Sequence, residues 1–183
     1  MSNGTLNPML THFGFHVVDL KKMIGFYQRI LGLTIMDQGR GINLPEDMVF
    51  LSNSPDVHHQ LMMCTGRSAD ELKYNHINQI SCLVESLEQM QEVVKRLDEE
   101  GTPITRQLDH GNAWSYYFFD PEGNTVEIYA NTPWHVQQPW GRVFDVREPV
   151  DKIMAETLEY AKAQTGFQPR EDYIESMRQE MAG

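Results

Sequence analysis

Four polar side chains fall where a repeated strand pattern brings chemistry into apolar surroundings: His12, His59, Gln79 and Glu127. Glu127 is the awkward one. In the run TVEIY, residues 125–129, Val126 and Ile128 point to one face of a strand and Glu127 to the other. A carboxylate set among apolar and aromatic residues is costly unless a cation, a proton or a metal answers it. An arginine such as Arg40 or Arg106 is one answer. A divalent metal is another, because two imidazoles and a carboxylate with open coordination positions suit a first-row ion, as in non-haem Fe(II) sites. Ligand type alone leaves Mn, Ni and Zn open beside Fe(II).

The elements that must position these groups repeat. Leu10 to Val18 reads as a strand, with His12, Gly14 and His16 on one face and Phe13, Phe15 and Val17 on the other. His16 therefore lines the same pocket as His12. Asp19 caps a helix from Leu20 to Leu31 that Gly32 ends. Leu33 to Met36, Met48 to Ser52 and Val57 to Cys64 read as three further strands. In the last of these, His59, Leu61 and Met63 share a face, and His58 turns away. Thr65 to Asn75 is a polar linker. Then the order restarts: a strand from His76 to Val84, a helix from Leu87 to Glu100 capped by Ser86, and a strand from Ile104 to Leu108. The aromatic strand Trp114 to Phe119 follows, then the Asp-Pro-Glu-Gly-Asn turn and the strand Thr125 to Tyr129. The predicted fold class is α+β: two paired βαβββ modules, residues 10–66 and 75–130, forming a curved sheet around a metal-site cavity. Laying the halves on one another sets His12 over Gln79 and His59 over Glu127. Residues 1–9 are a lead-in. Residues 131–183 form a C-terminal extension, partly helical, that packs across the core, covers the cavity mouth or contacts a second subunit. His76 stands three residues before Gln79 as an alternative ligand.

Composition narrows the partners. The chain has 183 residues, a formal charge of -11 and no basic run, so nucleic acid and anionic membranes are not expected. Two cysteines, Cys64 and Cys82, do not make a disulfide scaffold. The start MSNGTLNPML lacks a charged leader and an apolar core, and no apolar run approaches a membrane span. A reducing cytoplasm is the expected location.

The motifs HFGFHVVDLKKMIGFYQRILGL near the start, HHQLMM at 58–63, INQISCLVESLEQM at 77–90 and SYYFFDPEGNTVEIY at 115–129 occur in order. Across residues 10–130 the chain resembles the vicinal-oxygen-chelate superfamily, and within it the type I extradiol ring-cleavage dioxygenases. The resemblance implies metal ligands at His12, Gln79 and Glu127, with Gln79 standing where the family has His. Three arrangements follow. Gln79 ligates through its oxygen, or His59 moves onto the metal, or the site binds metal poorly. It further implies His59 as acid–base, Tyr117 as the tyrosine that bonds the substrate hydroxyl, and His110 with Asn112 at the ring-diol. Trp114, Phe15 or Phe119 would hold a flat ring. The implied activity is Fe(II)-dependent cleavage of a catechol-like substrate with O₂ by a homo-oligomer. The alternatives are a glyoxalase-type metal-dependent lyase or isomerase, and a metal-free small-molecule binding protein on the same scaffold.

Overall fold

The structure is a computed structural model that describes residues 9–42, 45–73 and 77–182. Most of the lead-in, residues 1–8, and His76 lie outside the described residues. The chain divides between residues 74 and 75 into two compact units.

In the first unit, β1 (Phe13–His16), α1 (Leu20–Leu31), β2 (Thr34–Arg40), β3 (Asp47–Ser52) and β4 (Leu61–Cys64) make a four-stranded sheet in the order β1-β4-β3-β2. β1 and β4 are parallel and the other pairs antiparallel. The helix forms where the sequence signals it. Asp19 Oδ1 accepts from Lys22 N at 2.9 Å, and Gly32 closes the helix at φ 67°. Met23, Phe26, Tyr27 and Ile30 are buried, as are Val49, Leu51, Leu61 and Met63 of the sheet. That alternation along β3 and β4 is what a sheet with one covered face requires.

The second unit repeats this plan with β5 (Ile80–Val84), α2 (Leu87–Glu100), β6 (Arg106–Asp109), β7 (Ala113–Phe119) and β8 (Thr125–Asn131), ordered β5-β8-β7-β6. Ser86 caps α2 by accepting from Gln89 N, and Gly101 ends it at φ 69°. Tyr116, Phe118, Val126 and Ile128 are fully buried, and the Tyr116 hydroxyl donates to Met90 O at 3.0 Å. That face of the sheet belongs to the helix. Glu127 and Tyr117 face the other way.

The extension packs on this second unit. β9 (Trp134–His135) and β10 (Gln168–Pro169) pair antiparallel, and α3 (Val150–Lys162) and α4 (Arg170–Ala182) complete it. Asp109, fully buried, accepts from Arg142 Nε, Thr157 Oγ1 and Gly111 N, each at 2.8–2.9 Å. This joins β6 to α3 and to the segment between β9 and α3. No helix among the described residues is long and apolar enough to cross a membrane.

Register corrects one sequence expectation. Phe13 pairs with Leu61 as Ile80 pairs with Val126, and Phe50 stands opposite Met62 as Tyr117 stands opposite Glu127. The counterpart of Glu127 is therefore Met62, not His59. The fourth strand begins at Leu61 rather than Val57, so His59 lies in the loop before it.

Candidate metal centre

In the second module the site is built on Glu127. It is 7% exposed, and three neutral groups hold its carboxylate. The Tyr117 hydroxyl donates to Oε1 at 2.7 Å. Ser81 Oγ and Gln79 Nε2 both donate to Oε2, the latter at 2.7 Å. Gln79 Nε2 also lies 2.8 Å from Ser81 Oγ, which accepts from it. Sheet register explains the grouping. Glu127 is level with Ser81 on one side and with Tyr117 on the other, so three adjacent strand positions present their side chains together. Arg106, level with Tyr117 on β6, stacks its guanidinium 4.1 Å over the Tyr117 ring. Among the described residues Glu127 has no ion-pair partner. Burial, and then the bond to Glu127, push the Tyr117 hydroxyl above its ordinary pKa, so it keeps its proton at neutral pH.

In the first module the site is a histidine cluster. The rings of His12 and His59 are 4.0 Å apart. Parallel pairing of Phe13 with Leu61 sets the ends of β1 and the preceding loop side by side. Gln60 pins that loop: its Oε1 accepts from Asn53 N at 3.0 Å, and its own N donates to Leu51 O at 2.9 Å. His58 Nδ1 lies 2.9 Å from His59 Nδ1, and Asp37 Oδ2 lies 2.8 Å from His58 Nε2. Thr11 Oγ1 lies 3.1 Å from His12 Nδ1. Burial, then the neighbouring His12 and His58, lower the His59 pKa. A neutral imidazole is the metal-ligating form.

The donor chemistry fits a divalent ion. Two imidazoles each have Nδ1 committed to a neighbour, which leaves Nε2, and ligating histidines show this pattern. The carboxylate is buried, among the described residues, without a cation. Among the described residues no group of three or more His, Cys, Asp or Glu side chains is gathered to hold a metal.

The other expected site residues are dispersed. Trp114 sits on the helix face of β7, 3% exposed, with Nε1 donating to Thr157 Oγ1 at 2.8 Å. The period of two along the strand turns it away from Tyr117, so it does not line the Glu127 site. His110 and Asn112 stand at the β6–β7 turn, several residues along the strand from Tyr117. His110 Nδ1 donates to Trp140 O at 2.8 Å, and Asn112 O accepts from Thr132 N at 3.0 Å. These contacts tie the turn to the extension rather than to Glu127. His16 shares the exposed face of Gly14, but its Nδ1 lies 2.9 Å from Thr65 O, at the other end of β1 from His12. His58, expected to turn away from His59, instead lies against it, with ring centroids 5.1 Å apart. A loop has no period of two to separate neighbours. Ser81 and Asp37 were missed. Ser81 was legible as the position two beyond Gln79 on one strand. Nothing in the sequence pointed to Asp37.

The comparisons agree with this architecture. The model of the Glyoxalase/Bleomycin resistance protein/Dioxygenase superfamily matches residues 9–128. This chain belongs to that superfamily. It is 29% identical over 123 residues to the "Probable trivalent organoarsenical cleaving enzyme" of Bacillus subtilis (strain 168), covering 64% of this chain and 77% of the relative. It is 27% identical over 124 residues to "Glutathione transferase FosA" of Serratia marcescens, covering 67% and 81%. Among solved structures, the glyoxylase/bleomycin resistance protein/dioxygenase domain from Frankia sp. EAN1pec superposes with a TM-score of 0.58 at 19% identity, covering 69% of this chain and 100% of that one. The fosfomycin resistance protein FosX from Listeria monocytogenes, complexed with Mn(II) and sulfate, gives 0.52 at 22% identity, covering 69% and 95%. At these identities the structures establish the fold of this superfamily member.

Proposed function

We propose that this protein is a metal-dependent lyase or transferase acting on a small anionic molecule, with His12, His59 and Glu127 as the metal ligands. The observation that carries the reading is Glu127 itself: a buried carboxylate held by three neutral donors and paired, among the described residues, with no cation. Gln79 spends its amide nitrogen on Glu127 and Ser81, which favours a role in aiming the carboxylate over one as a ligand. The names of the curated relatives, one an organoarsenical cleaving enzyme and one a glutathione transferase, support this reaction class. Neither name speaks for extradiol ring cleavage, which ranks behind it.

A bound metal of this class supplies Lewis-acid polarisation of a substrate oxygen. The chain supplies the rest. Tyr117 and Ser81 fix one carboxylate oxygen each, so Glu127 needs little reorganisation to present its remaining lone pairs. Tyr117 holds its proton and acts as a donor, not a base. Arg106 over the Tyr117 ring adds positive charge on the face that carries Glu127, which favours a phosphonate, an arsenical oxyanion or a carboxylate as the group bound.

Equilibrium dialysis against Mn(II), Fe(II) and Zn(II) tests the centre: stoichiometric binding is expected, and Glu127→Gln should remove it. The loaded protein is then offered a trivalent organoarsenical, an epoxide with a thiol, and a catechol with O₂. Carbon–arsenic cleavage or thiol addition supports the reading. Oxygen uptake with catechol alone returns it to the extradiol class, and failure to bind any of the three metals sinks it.

A further inference from the structure

We infer that Asp37 and His58 are positioning residues, which fix the tautomer and direction of His59 so that its Nε2 lone pair is offered to the metal. The metal half of this inference rests on the reading above; the tautomer half does not. With His58 neutral, the hydrogen-bond chain sets the protons. A carboxylate only accepts, so His58 Nε2–H donates to Asp37 Oδ2 at 2.8 Å. A neutral His58 then has only a lone pair on Nδ1. His59 Nδ1–H must donate to it across 2.9 Å, and His59 Nε2 is left bare. This is the order of carboxylate, imidazole and ligand that orients metal-binding histidines, lengthened by one ring.

A second observation points the same way. The register between β2 and β3 shifts between Ile35 and Asp37, and beyond the shift Asp37 stands opposite Phe50. Bulges re-aim side chains. The Phe50 ring lies 5.7 Å from that of His58 and 5.0 Å from that of His59, so one residue backs both imidazoles. Stability does not explain the arrangement. The His58 and Asp37 side chains are 55% and 71% exposed, and a hydrogen bond in that setting contributes little to stability. What the geometry supplies is direction.

The test reads tautomer and metal separately. Long-range ¹H–¹⁵N spectra of the metal-free protein, with His59 assigned by its loss in His59→Gln, are expected to show the Nδ1–H form of His59. Asp37→Asn and His58→Phe should each shift it towards the Nε2–H form. Calorimetry with Mn(II) should show binding weakened about tenfold or more in His58→Phe. His58→Gln, whose amide oxygen accepts from Nδ1–H, should recover most of the loss. The inference is overturned if wild-type His59 is the Nε2–H form, or if His58→Phe binds Mn(II) as tightly as wild type. If wild type binds no Mn(II), Fe(II) or Zn(II), the metal reading fails, and the spectra alone decide whether the relay sets the tautomer.

Discussion

Tyr117→Phe removes one oxygen and leaves the ring. In the structure that oxygen is the donor to Glu127 Oε1, at 2.7 Å, in a site where both residues are nearly closed to water. A hydrogen bond to a charged, buried acceptor contributes roughly 1.5–3 kcal/mol. The other two donors serve Oε2, so among the described residues no group takes its place. The metal-free variant should therefore lose about 1.5–3 kcal/mol, or about 3–12 °C in Tm for a chain of this size. The charge on Glu127 is what makes the bond strong. In a Glu127→Gln background the same change should cost less, with a coupling of about 1 kcal/mol or more in the double-mutant cycle. Urea unfolding at pH 7.5, read from the midpoints of the four proteins, measures it. An equal cost of Tyr117→Phe in both backgrounds would refute the reasoning, because Glu127 would then not be held there as an anion.

Three further outcomes are expected. Burial, and then Glu127, push the Cys82 thiol up from 9.0 to about 11. Its folded pKa lies above the unfolded one, so its contribution is complete below about pH 9 and is lost as pH rises towards 11; Cys82→Ala should flatten the fall in urea midpoint across that window. Asp109→Ala strips Arg142 and Thr157 of a fully buried partner, and removing one side of such a pair costs about 3–5 kcal/mol. It should expose the segment around residues 140–165 to limited proteolysis, and unchanged protection would show that the extension is held by other contacts. Gln79→His places an imidazole beside Glu127, and calorimetry should show tighter Fe(II) binding if position 79 reaches the metal, or little change if His59 already completes the set.

The fold was legible because its signals are local. Asp19, Gly32, Ser86 and Gly101 punctuate the helices, and the period of two along TVEIY showed that Glu127 leaves the covered face. Tyr117 came from the family resemblance, and the alternation along β7 agrees by turning Tyr116 to the helix face. Register was not legible, since it depends on which backbone groups meet across strands. An echo between the halves therefore laid His59 on Glu127, where pairing sets Met62. His58 was missed because alternation was applied to a loop. Asp37 was missed because a one-residue shift in β2, invisible in composition, decides what it faces. Trp114 was misread because an aromatic residue signals either a ring pocket or a core, and only the helix packed against it distinguishes them.

The matched registers of the two sheets carry one more consequence. Gly14, Phe50 and Met62 occupy the strand positions that Ser81, Tyr117 and Glu127 hold in the other half. A Cβ built on Gly14 would lie 2.5 Å from the Met62 methyl, so the Met62 side chain fills the space that a serine would need there. One backbone frame thus exists twice, written once in apolar ink and once in polar. At these three positions, whether the frame holds a carboxylate is a choice of side chains, made independently of the chain's path.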